Sequence, residues 1–194
     1  ARNNLFIDFF YQRYKYINIM NLKSYIRSIP DYPKKGILFR DITTLIKNEK
    51  AFAESIDQIV ERSKKFKIDK IAAIESRGFV FASAVSYLLK KPFIMLRKKN
   101  KLPADTYSVD FELEYGTATI EVHKDSINKG DSVLIIDDLI ATGGTAEAAA
   151  KLVEISGGKV AAFVFVINLF DLKGSENLIK DGYKVENLME FPGH

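Results

Sequence analysis

The chain has 194 residues, which at ~100–200 residues per domain points to one domain, with or without an appendage, and is enough to bury a core. Its formal charge is +4, from 29 Lys and Arg against 25 Asp and Glu, and the first twenty residues supply two of those charges, so the rest is close to neutral and no nucleic-acid partner is expected. Zero cysteines and only His123 and His194 exclude a disulfide scaffold, a thiolate metal site and a multi-histidine metal site, and fit a cytoplasmic protein.

Residues 1–19 are rich in aromatics and Asn, and charges at Asp8, Arg13 and Lys15 interrupt them before they reach signal-peptide length. Met20, which opens a helical period through Leu22, Tyr25, Ile26 and Ile29, is the expected natural start. The preceding segment is then either an upstream extension or a docking helix carried by Phe6, Phe9, Phe10 and Tyr14. Residues 20–194 read as a single domain.

Pro30 and Pro33 break the first helix, and Asp31 to Gly36 forms a loop before Ile37-Leu38-Phe39. Phe52, Ile56, Ile59 and Val60 mark an amphipathic helix, Lys70 to Glu75 a short apolar strand, Phe79 to Leu89 a second helix and Pro92 to Leu96 a second strand. Arg97 to Pro103 reads as a basic loop, and Tyr107 to Glu114 with Thr117 to His123 as a hairpin around Tyr115-Gly116. Strand Ser132 to Ile136, helix Thr145 to Ile155 and strand Lys159 to Ile167 continue the alternation. The longest apolar run, Val160 to Ile167, has eight residues, short of the ~18 a membrane helix needs, so no membrane is expected. This alternation predicts an α/β fold with a mainly parallel twisted sheet flanked by helices, binding ligands at the carboxyl ends of the strands.

The segment Val133 to Thr145, VLIIDDLIATGGT, runs from a buried strand into two carboxylates, a small-residue loop and a helix start. Gly143 and Gly144 let backbone approach a ligand closely, the helix N-terminus offers free N–H groups to a phosphate, and Ala141, Thr142 and Thr145 complete the cradle. No lysine follows the glycines as in a Walker A loop, so one monophosphate is the expected cargo. Asp137 and Asp138 can accept hydrogen bonds from the vicinal hydroxyls of a sugar carrying that phosphate.

This ordered segment resembles the phosphoribosyl-pyrophosphate binding motif of type I phosphoribosyltransferases. IPDYPKKG followed by ILFRD, then ESRGF, RKKNKLP, FELEYGTATIEVH and the closing FPGH are similar to the adenine-specific branch of that family. The resemblance implies a type I phosphoribosyltransferase fold with an N-terminal hood (about 20–45) and a mobile hairpin loop (about 97–116). It also implies transfer of a phosphoribosyl group from phosphoribosyl pyrophosphate to adenine, giving AMP and pyrophosphate. In the hood, backbone near Leu38 and Arg40 would read adenine while Phe39 stacks on it. Ser76 and Arg77, with Lys98 and Lys101 from a loop that orders on substrate binding, would hold the pyrophosphate; Arg97 would reach the other subunit of a homodimer. Glu114 matches the general base and Tyr115 covers the reacting centre. Mg²⁺ would be held by substrate and water, with no direct protein ligand. The competing expectations are an oxopurine phosphoribosyltransferase and a non-catalytic sensor that keeps the phosphoribosyl site.

Overall fold

The computed structural model describes residues 20–113 and 116–193. The helix expected from Met20 is instead a single 3₁₀ turn, Leu22–Tyr25, followed by strand β1 (Arg27–Pro30). Ile26 is already extended, and Pro30 disfavours helical backbone at the residue before it. Leu22 and Ile26 therefore reach the core from a turn and the start of a strand. β1 pairs antiparallel with β2 (Leu38–Asp41), from Arg27 opposite Asp41 to Pro30 opposite Leu38, and this two-stranded sheet is the hood. Asp41 fixes its open end: it is ion-paired with Arg27 and accepts the Thr43 N–H at 2.9 Å, and the Arg27 hydrogen bond is the main reason its carboxyl titrates at about 2.

A short helix α1 (Thr43–Ile46) precedes α2 (Glu49–Ser63), whose first turn is capped by Asn48, with Oδ1 accepting the Ala51 N–H at 3.0 Å. Ala51, Ile56 and Ile59 line the buried face of α2, as the helical period requires. Strand β3 (Lys70–Ile74) leads into α3 (Gly78–Leu89) and β4 (Phe93–Lys98). The hairpin β5 (Thr106–Leu113) and β6 (Gly116–His123) follows, in register from Thr106 opposite His123 to Leu113 opposite Gly116. β7 (Ser132–Ile140), α4 (Gly144–Ile155), β8 (Lys159–Leu169), α5 (Gly174–Lys180) and β9 (Val185–Phe191) complete the domain.

The main sheet has seven strands in the order β5-β6-β4-β3-β7-β8-β9. The block from β4 through β9 is parallel, and β6 joins β4 antiparallel, carrying β5 on its outer edge. Side chains of β7 alternate between two cores: Leu134 and Ile136 pack with Ile59, Phe81 and Val85 of α2 and α3, while Val133 and Ile135 pack with Leu152 and Val153 of α4. The chain leaves β3 toward β4 on one side and later returns as β7 on the other, which opens a crevice at the carboxyl ends of β3 and β7. Among the described residues no helix is long and apolar enough to cross a membrane.

Candidate active site

The crevice between β3 and β7 is a cavity of about 490 Å³. β7 runs four residues beyond its expected end at Ile136, so Asp137 and Asp138 lie within the strand, Asp137 opposite Phe165 and Leu139 opposite Ile167 of β8. The Asp138 N–H donates to Asp137 Oδ1 at 2.9 Å, which fixes the first carboxylate against the backbone of the second. Burial, then repulsion from Asp138, pushes the Asp137 carboxyl well above the usual range. Burial also raises Asp138, opposed by the positive charge of Arg77. The Arg77 Nε lies 2.8 Å from Asp138 Oδ2, but that oxygen accepts no well-directed hydrogen bond, so the contact is ionic.

Opposite the acids, Ala141, Thr142 and Gly143 turn the chain into α4. Gly143 has φ 100°, a left-handed conformation that favours glycine. It brings no side-chain acceptor to the capping position, so the N–H groups of Gly144 and Thr145 remain for an anion at the positive end of α4. Ala141 to Thr145 all line the cavity, as the motif implies.

The third wall comes from the end of β3. Glu75 and Ser76 are joined by a cis peptide bond, Ser76 and Arg77 face the cavity, and Arg77 opens α3. Gly78 sits where a Cβ would lie 2.8 Å from Asp137 Oδ1 and 2.9 Å from the Ile136 carbonyl, so α3 starts hard against the acid-bearing strand. Lys98, at the end of β4, lines the same cavity.

The remaining expected residues fall into three groups. Arg97 and Lys98 end a strand and do not belong to a loop as read from their charge, because β4 pairs on through them with Glu121 and Ile120 of β6. Arg97 is half-buried against Glu75 of its own chain, and neither it nor Lys101 lines the cavity. In the hood, the Phe39 ring faces the Arg77 guanidinium at 5.7 Å and meets the edge of Tyr32 at 5.1 Å. Leu38 neighbours it on β2, while the Arg40 side chain turns away to donate to Ser28 Oγ at 2.6 Å and to the Pro192 carbonyl at 2.9 Å. Glu114 and Tyr115 lie outside the described residues, as do residues 1–19.

Two residues without a role in the sequence reading shape the site. Gly174, at the start of α5, donates its N–H to the Ala141 carbonyl at 3.0 Å, and a Cβ there would lie 2.3 Å from that oxygen and 2.8 Å from the Gly143 nitrogen. Glu75 accepts the Lys98 N–H at 2.9 Å and the Arg97 Nε at 3.2 Å. Glu75 was within reach of sequence reasoning as the first residue of ESRGF; Gly174 had no local signal, because its partner is 33 residues earlier in the chain.

Residues 41–190 match the family model described as phosphoribosyl transferase domain. An adenine phosphoribosyltransferase of Pelagibacter ubique is 86% identical over 175 residues, which is 90% of this chain and 100% of that one. A crystal structure of adenine phosphoribosyltransferase from Thermoanaerobacter pseudethanolicus superposes with a TM-score of 0.84 at 48% identity, covering 88% of this chain and 98% of the other. The Saccharomyces cerevisiae enzyme, solved with D-2,5-dideoxy-2,5-imino-altritol 1,6-bisphosphate and adenine, superposes with a TM-score of 0.80 at 37% identity, covering 87% and 96%. With an acid pair, an open helix N-terminus and an arginine-led turn around one crevice, and with these likenesses over most of its length, the chain belongs to the phosphoribosyl transferase domain family and, within it, to the adenine phosphoribosyltransferases.

Proposed function

We infer that the cavity takes phosphoribosyl pyrophosphate and the hood takes adenine, so that the chain transfers the phosphoribosyl group to adenine and releases AMP and pyrophosphate. One observation carries the reading: within one cavity of about 490 Å³, a buried acid pair lies between an uncapped helix N-terminus and the Arg77 and Lys98 cations. A 5-phosphate at Ala141 to Thr145 sets the ribose hydroxyls beside Asp137 and Asp138. The pyrophosphate then faces Ser76, Arg77 and Lys98, with Lys101 next to them on the chain.

The bond from the anomeric carbon to the pyrophosphate oxygen breaks, and a bond from the same carbon to a ring nitrogen of adenine forms. Positive charge builds on the sugar while the leaving group becomes more negative, so Arg77 and Lys98 stabilise the transition state more than the ground state. Phe39 offers an aromatic face to the base, with backbone of Leu38 and Arg40 beside it to read its edge. Glu114 accepts the proton that adenine loses, and Tyr115 covers the reacting centre, both by likeness to the family.

Among the described residues no three His, Asp or Glu side chains converge on a metal. Asp137 and Asp138 line the crevice with carboxylates, a hard-oxygen donor set, which fits a Mg²⁺ held by substrate oxygens and water and facing these residues. When bound, such an ion neutralises charge on the pyrophosphate. A homodimer belongs to the same reading, although Arg97, expected to reach the other subunit, is engaged by Glu75 of its own chain.

The test is pyrophosphate release with phosphoribosyl pyrophosphate and Mg²⁺, run in parallel with adenine, hypoxanthine and guanine. Turnover with adenine alone is expected. Turnover with an oxopurine overturns the assignment of the hood, and binding without turnover points to a sensor.

A further inference from the structure

Glu75 is the last residue before the Ser76-Arg77 turn, and its side chain reaches sideways to the end of the neighbouring strand. One oxygen, Oε2, accepts the Lys98 N–H at 2.9 Å and the Arg97 Nε at 3.2 Å, while Oε1 faces the Arg97 Nη2 at 3.4 Å. Arg97 passes the link on, donating Nη1 to the Lys101 carbonyl at 3.2 Å. A second carboxylate works from the other side: Glu121 of β6, itself buried, accepts the Asn100 N–H at 3.0 Å, where the chain turns through a φ of 64°. Residues 97 to 101 are thus pinned by backbone and by Arg97. Among the described residues the Lys98 and Lys101 ammonium groups have no ion-pair partner.

The contrast within the segment is informative. A carboxylate lining a phosphate cavity repels the ligand unless its charge is already engaged. Here the Lys98 N–H, then Arg97, hold Glu75 below the ordinary carboxylate range, so it stays ionised and engaged. Its hydrogen bonds go to groups that do not need to touch the ligand. Two cations not engaged by Glu75, Arg77, which is ion-paired with Asp138, and Lys98 on the β4 side, stand on the cavity wall.

We propose that Glu75 is a positioning residue for pyrophosphate: by tying the end of β4 to the start of the Ser76-Arg77 turn, it presents Lys98 and Arg77 to the ligand as one unit. This rests on the reading of the cavity given above. Glu75 acts through Lys98 and is not itself a catalytic group.

A double-mutant cycle tests it, with calorimetric affinity for Mg-pyrophosphate as the readout, in wild type, Glu75→Ala, Lys98→Ala and the double variant. Each single change is expected to weaken binding about tenfold, the scale of a lost charge-assisted contact. The double variant is expected to be no weaker than the worse single one, because residues acting as one unit are not additive. Glu75→Gln, which keeps an oxygen for the Lys98 N–H, should recover part of the loss, and KM for adenine should change less than the affinity for pyrophosphate. Additive losses, an unaltered affinity in Glu75→Ala, or a loss matched by equal losses in both KM values and in Tm overturns the proposal. Wild type that binds pyrophosphate but does not turn over adenine refutes the adenine reading alone, and the cycle still decides the role of Glu75.

Discussion

Asp137 and Asp138 are neighbours on a buried strand, and at neutral pH two adjacent ionised carboxylates there would repel each other without water to screen them. Arg77 compensates Asp138, which leaves Asp137 as the member whose proton is hardest to remove. The consequence for stability has a definite sign. Between the unfolded value near 3.8 and its raised folded value, Asp137 holds a proton in the native state that the unfolded chain has already released, so stability falls as pH rises through that window. Asp137→Asn keeps the oxygen that accepts the Asp138 N–H and removes the charge. It is expected to stabilise the free protein at pH 7 by ~1 kcal/mol and to remove this decline, while weakening the ribose-linked step. Urea denaturation at pH 5 and pH 7 checks it: an unchanged difference between the two would mean that Asp137 is already solvated.

The proposed phosphate cradle, Ala141 to Thr145, rests on a part of the chain well removed from it in sequence. α5 begins at Gly174, pressed against Ala141 and Gly143, and the next residue, Ser175, donates to Asn168 Oδ1 at 3.1 Å behind the loop. Gly174→Ala forces a methyl onto the Ala141 carbonyl, and either the loop or α5 must move. The expected result is a KM for phosphoribosyl pyrophosphate raised about tenfold, with ~1–3 kcal/mol lost in stability, the usual scale for overpacking. A normal KM would show that α5 alone yields. The same element marks the limit of what the sequence discloses. VLIIDDLIATGGT was legible because strand, acids and cradle are contiguous, and α2, α3 and α4 were legible because their apolar residues repeat with the helical period. α5 has seven residues, too few to show a period, and β9 mixes charged and apolar positions at the edge of the sheet, so neither stood out. β1 was misread because Leu22, Tyr25, Ile26 and Ile29 satisfy a helical spacing while Pro30 and pairing with β2 decide the backbone.

At the scale of the whole molecule, the hood and the main sheet meet at both ends of the chain. Arg40 stacks over Phe191 with its guanidinium 4.7 Å from the ring and holds the Pro192 carbonyl, so the last strand of the sheet anchors the first sheet of the fold. Arg40→Met removes the hydrogen bonds and the cation–π contact but keeps an apolar stem. It is expected to raise KM for adenine several-fold, about 1 kcal/mol of lost anchoring, with affinity for pyrophosphate unaltered. Steady-state kinetics with each substrate varied in turn separates the two, and equal rises in both constants would refute a role confined to the hood.

The order of the strands adds a last consequence. The groups proposed to hold the sugar phosphate sit at the ends of β3 and β7, each flanked by strands on both sides, whereas among the described residues β5 is hydrogen-bonded along one side only. Edge pairing is the first to open under thermal fluctuation. Opening is therefore expected to begin at the outer margin of the β5–β6 hairpin while the centre of the sheet stays closed, so that the rim and the anchor of one small enzyme occupy different rungs of a single ladder of local stability.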